Sequence, residues 1–409
     1  MIVKSWLRSW TTDPGLPLRQ GRYRSRLRDE GAAAVLGIAL AALFTTCFVT
    51  GLFSHLQQHP QSWFPIPRRP VGLYRVTQGV HVATGIASIP VLASKLWVVW
   101  PRFLSYPPVR HVADAVERVG LLPLVGGGVF MVFSGVANIA QWYPWRFSFT
   151  ASHFWVAWLT MGALIAHVGA KWAVTWQALR SPSMLRGEEE EEKGVGRAAR
   201  EPENLVDDAA STGLSRRGFL GTVAAASGVL TVTTVGQTLP VLRRLAVLAP
   251  RDPASGPQGY PVNRGAANAG VVERAVTQDY RLAVLGGRVP VSLTVDELMA
   301  LPAHEAELPI ACVEGWSFSA TWRGVRLRDV LALAGAPPGR AVRVESLEPA
   351  GAYRTSTLDH RQAMDDLTLL ATHLDGQRLA IDHGYPCRLI APDRPGVLQT
   401  KWVSQVVVL

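Results

Sequence analysis

The sequence predicts an α-helical transmembrane bundle of five helices followed by a separate α+β domain. Two observations carry this. Four long uncharged apolar runs lie between residues 31 and 170 and a fifth spans Gly218 to Leu242. From residue 260 onward, short β-branched stretches alternate with turns and two short helical patterns. The charge balance agrees: 41 basic residues against 31 acidic ones give a formal +10, and seven Lys or Arg stand in the first 30 residues, directly before an apolar run. That is the place of a cytoplasmic membrane flank, so no nucleic-acid partner is expected. With 48% hydrophobic and 18% charged residues, the chain is too apolar to be disordered.

Residues 1–30 form the basic N-terminus. Gly31 to Phe53 is 23 residues without a charge; at about 1.5 Å per residue this exceeds the roughly 30 Å hydrocarbon core. Val76 to Ser94, Val119 to Trp145 and Phe147 to Ala170 complete a four-helix membrane domain over 31–175. The alternative, buried helices of a soluble protein, sits poorly with so many uncharged runs of this length. Lys4 to Arg28, Lys95 to Arg118 and Lys171 to Arg217 hold most of the flanking Lys and Arg, which places them in the cytoplasm by the positive-inside rule. The connectors 54–75 and 141–150 are then outside, with Arg68, Arg69 and Arg75 as a mild exception. Residues 176–214, with Glu188 to Glu192 beside Pro182, Gly194 and Gly196, form a solvated cytoplasmic linker.

Residues 215–242 open with Ser215-Arg216-Arg217-Gly218-Phe219-Leu220, directly before the fifth apolar run. An ordinary basic stop at a helix end is the plainer reading. The segment also resembles a twin-arginine export signal, in which Arg216 and Arg217 are the recognised pair. That route carries folded domains, so the resemblance implies a cofactor loaded in the cytoplasm. No small-residue cleavage site precedes Arg243, and the fifth helix is expected to stay as an anchor. Five crossings from an inside N-terminus leave a linker at 243–259 and the domain at 260–409 outside. The expected location is a bacterial cell membrane, multi-pass, with the general secretion and twin-arginine machineries as partners.

Three cysteines cannot make a disulfide framework: Cys47 lies in an apolar run, and Cys312 and Cys387 are 75 positions apart. Cys312 ends a short apolar run and enters a turn in Pro309-Ile310-Ala311-Cys312-Val313-Glu314-Gly315-Trp316-Ser317. A lone cysteine is more often a small buried hydrophobe. Its neighbours argue otherwise. Cys-Val-Glu-Gly-Trp-Ser, with Trp322-Arg323-Gly324-Val325 after it, resembles the molybdenum-binding region of the sulfite oxidase family, in particular its bacterial sulfoxide-reductase branch. The resemblance implies a sulfite-oxidase-like α+β fold with Cys312 as the protein thiolate on molybdenum, Glu314 and Trp316 beside the metal, and molybdopterin as cofactor.

Asp382-His383-Gly384-Tyr385-Pro386-Cys387-Arg388-Leu389-Ile390, followed by Lys401-Trp402, resembles the family's stretch that holds the pterin phosphate. Arg388 can chelate a phosphate, and His383 and Lys401 add donors; a surface turn with scattered basic residues is the alternative. Asn263 and Arg264 resemble an early pterin contact. The match departs from the sulfite oxidases at Ser317, where they place an arginine, so a sulfite-type oxidase is the second reading and a non-catalytic anchored module without molybdenum the third. The sequence stops soon after Lys401, so the dimerisation domain of the longer oxidases is not expected. Cys387 is read as packing in its turn.

Ionisable residues in membrane helices are functional candidates. His81 lies in the second helix, and His153 and His167 in the fourth, 14 residues apart. That is nearly four turns and about 21 Å, one face at two depths. The pattern resembles diheme cytochrome b subunits, and implies that His81 and His153 hold an outer heme b; His167 lacks a matching partner histidine on the first helix. A purely anchoring bundle is the alternative. The resulting reading is a membrane-anchored molybdopterin oxidoreductase that transfers an oxygen atom, or two electrons, to or from a small S- or N-oxide. The quinone pool or a soluble carrier is its electron partner.

Overall fold

The computed structural model describes residues 27–61, 63–103, 112–180, 214–239, 241–252 and 254–409. The basic N-terminus, the centre of the Lys95 to Arg118 connector and the acidic linker with Glu188 to Glu192 lie outside the described residues. Five long helices come first: α1 (Glu30–Gln58), α2 (Leu73–Phe103), α3 (Val112–Ile139), α4 (Phe149–Arg180) and α5 (Arg216–Val235). Each contains a stretch long and apolar enough to cross a membrane.

Two helix ends differ from the apolar runs. α3 stops at Ile139 although the uncharged run continues to Trp145. There Gln141 turns left-handed (φ +52°) and the Trp142 amide donates back to the Ala137 carbonyl at 2.8 Å, which closes the helix end. α5 stops at Val235, seven residues before the run ends, because the chain folds back at Gly236. A Cβ there would meet the Leu242 Cβ at 3.2 Å, and the Leu248 amide reaches the Thr233 carbonyl at 2.8 Å. Hydrophobicity sets the length of a run, whereas the backbone turn sets the end of a helix.

Contacts divide the chain into two compact units: residues 1–48 with 84–231, and residues 49–83 with 232–409. In the first, Leu36, Leu40, Val91, Val98 and Val223 from α1, α2 and α5 form one core. α3 and α4 pack closely at Gly127, where a Cβ would lie 2.2 Å from the Thr160 hydroxyl.

The second unit contains the α+β domain. After α6 (Ala266–Ala269) and α7 (Val272–Val276) come β1 (Leu282–Leu285), β2 (Val291–Leu293), α8 (Val295–Ala300), β3 (Ala303–Ala311) and β4 (Ser317–Arg326). Then follow α9 (Leu327–Leu333), β5 (Val342–Ser346), β6 (Thr355–Leu358), α10 (His360–Ala363), β7 (Leu369–Leu374), β8 (Gln377–Arg378), β9 (Arg388–Ile390) and β10 (Val403–Val408). One sheet has the order β2-β1-β10-β5-β6 and the other β3-β4-β7-β8, with β9 also on β7. Leu282, Val284, Val344 and Val406 of the first sheet share a core with Val325, Leu370 and Leu389 of the second. The same unit takes in residues 49–83, the end of α1, its connector and the start of α2. Gln57 Nε2 donates to Asp393 Oδ2 at 2.9 Å, and Arg68 and Arg69 pair with the buried Asp365 at 3.0 and 3.2 Å.

Candidate functional site

β3 and β4 are a hairpin in which Ala311 faces Ser317, and Cys312 opens its loop. The Cys312 amide donates to the Trp316 carbonyl at 2.9 Å and the Gly315 amide to the Cys312 carbonyl at 3.1 Å. Gly315 is left-handed (φ +88°). This is a three-residue hairpin loop whose last position needs a glycine. The loop leaves the Cys312 side chain 6% exposed with defined donors around it. Asn263 Nδ2 donates to Cys312 Sγ and to Glu314 Oε1, both at 3.0 Å, and Trp316 Nε1 donates to Glu314 Oε2 at 2.9 Å. The structure thus brings Cys312, Glu314, Trp316 and Asn263 into one hydrogen-bonded cluster.

Burial, then the Glu314 carboxylate, pushes the Cys312 thiol up to about 12, while the N–H groups of Glu314 and Val313 and the Asn263 amide oppose the shift. A cysteine held this way is a protonated thiol unless a cation takes its proton's place. Among the described residues no group of three or more His, Cys, Asp or Glu could hold a bare metal ion. One thiolate suits a metal that brings its own further ligands, as one carried on a dithiolene does. The buried oxygens Asn263 Oδ1 and Ser317 Oγ have no hydrogen-bond partner, so polar valence remains on this cluster.

The second cluster lies between β8 and β10. Arg388, 4% exposed, donates to the His383 carbonyl at 3.0 Å and the Gln399 carbonyl at 3.2 Å, and its Nε has no partner. Lys401 Nζ donates to the Arg264 and Asp382 carbonyls at 2.6 and 2.9 Å, which leaves a third N–H. Burial, then Arg388, lowers Lys401 to about 7; burial lowers Arg388 to about 9. Gly384 (φ +111°) makes room, since a Cβ there would come 3.0 to 3.2 Å from the Arg388 and Lys401 side chains. Two cations lowered by burial, one of them also by the other, with leftover donors, fit an anion such as a phosphate.

His383 differs from its expected role as a charged donor. Its Nε2–H is given to the Pro257 carbonyl at 2.8 Å and burial lowers it to about 4, so the ring is neutral and braces the loop. Asn263 and Arg264 join the two clusters. Asn263 bonds Cys312, while Arg264 pairs with Glu348 at 3.0 Å and offers its carbonyl to Lys401. Sequence reasoning missed Tyr353, in the β5–β6 loop at 44% exposure. Burial, then the Cys312 thiol, raises its phenol, which marks the two groups as neighbours; a tyrosine in a Gly-containing loop gave no local signal.

In the helices, His153 Nδ1 lies 2.8 Å from Ser134 Oγ, and that hydroxyl also donates to the Phe130 carbonyl at 2.7 Å. His167 follows on the same helix. His81 packs on Gly51, where a Cβ would come within 2.7 Å of the ring. His81 belongs to the second unit, and His153 and His167 to the first. Arg216 lies 3.6 Å from Asp29, Arg217 is exposed, and Ser215 Oγ accepts from the Gly218 amide at 3.1 Å as the cap of α5. Cys387 is buried, with Tyr280 Oη 3.4 Å from its sulfur, and none of the three cysteines is in a disulfide.

Residues 269–409 match the family described as the oxidoreductase molybdopterin binding domain. Mitochondrial sulfite oxidase of Drosophila melanogaster is 30% identical over 156 residues, 32% of this chain and 27% of that protein. The protein-methionine-sulfoxide reductase catalytic subunit MsrP of Xanthomonas campestris is 36% identical over 131 residues, 29% of this chain and 40% of that protein. Among solved structures, sulfane dehydrogenase SoxCD from Paracoccus pantotrophus aligns with a TM-score of 0.30 at 26% identity, over 33% of this chain and 40% of that one. The chain spans less than half the length of the curated relatives it matches. The C-terminal domain is a sulfite oxidase-type molybdopterin-binding domain, homologous to both, and its homologues are oxidoreductases.

Proposed function

We propose that the protein is a membrane-anchored molybdopterin oxidoreductase acting on a neutral S- or N-oxide outside the membrane. The observation that carries this is the pair of clusters joined by consecutive residues: Asn263 at the buried Cys312 sulfur, Arg264 and Lys401 at the anion pocket. Cys312 would ligate molybdenum, and Lys401 and Arg388 would hold the pterin phosphate. Bound there, the cofactor supplies two-electron redox and oxygen-atom transfer. Glu314 fixes Asn263 and the Trp316 indole around the sulfur. Tyr353, a phenol whose pKa burial and Cys312 raise further, would hold a donor proton at the half-exposed edge of the site. Ser317 puts a neutral hydroxyl where the oxidases have a cation, which favours an uncharged oxide over an oxyanion. The similar Xanthomonas protein is named a sulfoxide reductase, which supports the same class.

Replacing Cys312 with serine should abolish about one bound molybdenum per chain in metal analysis. Retention of the metal in C312S, or its absence from the parent protein, would reject the assignment. A dye-coupled screen of sulfoxides, N-oxides and sulfite then distinguishes the readings, since turnover of sulfite alone would identify a sulfite-type oxidase.

The membrane placement rests on five long apolar helices whose Leu122, Trp155, Ile165 and Val229 side chains are exposed. A b heme on His81 and His153, passing electrons to quinone or a soluble carrier, is supported by the spacing of histidines in the second and fourth helices. Reduced-minus-oxidised spectra of membranes should show a b-type band that disappears in His153→Ala; a parent protein without the band has no heme.

A further inference from the structure

The loop that carries Cys312 is held from outside the α+β domain, within the second unit. Two of its carbonyls accept side-chain donors from the helical segments: Val313 from Gln78 Nε2 at 2.7 Å and Gly315 from Thr238 Oγ1 at 3.2 Å. Gln78 lies in α2 and is 5% exposed. Its amide has a fixed orientation, because the Ser54 hydroxyl of α1, itself 3% exposed, donates to Gln78 Oε1 at 2.6 Å. The nitrogen must therefore face the loop.

The peptide group that receives this bond is the one between Val313 and Glu314. Its other end is the Glu314 N–H, which favours the charged form of the Cys312 sulfur. Ser54, Gln78 and the 313–314 peptide thus form a series of hydrogen bonds oriented donor to acceptor, and the far end of that peptide is the N–H that favours the thiolate. Donation to a peptide carbonyl polarises that peptide and strengthens its N–H as a donor. Hydrogen bonds to a ligating sulfur withdraw electron density from it and tune the metal it binds.

We propose that Gln78, oriented by Ser54, is a positioning residue for the thiolate ligand: through the 313–314 peptide, the start of the second helix sets the electron-donating strength of Cys312. Neither side chain touches the metal position. This rests on Cys312 being the molybdenum ligand, and it adds that the helical segments complete the metal site as well as anchor it. The direction follows: a relay that draws charge from the sulfur favours the reduced metal, so its loss lowers the potential.

The test uses the purified full-length protein and two readouts. In Gln78→Leu, molybdenum content should stay at the parental level while its reduction midpoint moves to lower potential. Amide exchange in 309–317 should become about fivefold faster, the equivalent of one lost hydrogen bond of about 1 kcal/mol, with 369–374 in β7 unchanged. Gln78→Glu, which places a carboxylate oxygen on the Val313 carbonyl, should shift the potential in the same sense, and Ser54→Ala by less. A parental potential in Gln78→Leu, or equal acceleration in 309–317 and 369–374, overturns the proposal. If the parent binds no molybdenum the proposed function falls, whereas exchange in 309–317 still decides whether Gln78 holds the loop.

Discussion

Lys401 shows how one side chain's setting exceeds what its residue type announces. A lysine near the C-terminus of a basic chain reads as surface charge, yet this ammonium is pressed between two backbone carbonyls and beside Arg388. Its folded value of about 7 lies below the ordinary 10.5, so between these limits the unfolded chain binds more protons than the folded one. Lys401 therefore adds to stability as pH rises from about 7 to about 10.5, and that contribution is lost as pH falls back through about 7. Denaturant midpoints measured across this window should rise with pH in the protein lacking a bound anion, and Lys401→Met should flatten the rise. A bound phosphate, which keeps the ammonium charged, should flatten it too. The residue types Cys312, Arg388 and Lys401 were legible in the sequence because their chemistry is specific. The neutral state of His383 was not, since it follows from burial in the folded chain, where the ring is anchored on the Pro257 carbonyl 126 positions away.

At the scale of elements, the β3–β4 hairpin is the device that presents the sulfur. The β-branched runs Arg281 to Leu285, Ala341 to Ser346, Arg388 to Ala391 and Trp402 to Leu409 match β1, β5, β9 and β10, and the helical patterns Val295 to Ala300 and Leu327 to Ala334 match α8 and α9, each end to within a residue. β3 and β4 were harder to read, because Pro309, Gly324 and alternating Ser, Thr and Arg interrupt the apolar signal that antiparallel pairing then overrides. Gly315 closes the hairpin in a left-handed conformation and also sits against α2: a Cβ there would come within 3.0 Å of both Val82 methyl groups. Gly315→Ala should cost about 2 kcal/mol from backbone strain alone, read as a lower denaturant midpoint. Adding Val82→Ala should recover the packing part of the loss and leave the strain, so the double variant should remain less stable than Val82→Ala by itself.

Over the whole molecule, the second unit joins sequence-distant parts: the connector between the first two helices and the C-terminal domain. The Arg68 and Arg69 pairs with Asp365, and Gln57 with Asp393, hold the connector against the C-terminal domain. This gives the export prediction a structural readout. With Arg216 and Arg217 both replaced by lysine, the first four helices should still insert while the C-terminal domain is held in the cytoplasm. Protease added to the outer face should then spare 260–409 and cut the connector, which has lost its partner. An externally accessible C-terminal domain in that variant would reject the twin-arginine route.

The sequence alone determined the apolar helices, the order of helical and α+β parts, and the thiol and basic side chains that its motifs contain, because hydrophobic length and side-chain chemistry are properties of short segments. Only the tertiary structure decided where α3 and α5 end, that Asn263 and Arg264 join the two clusters, and that Gln78 reaches the loop. Those depend on hydrogen bonds and close approaches between residues far apart in the chain, whose partners no local pattern specifies.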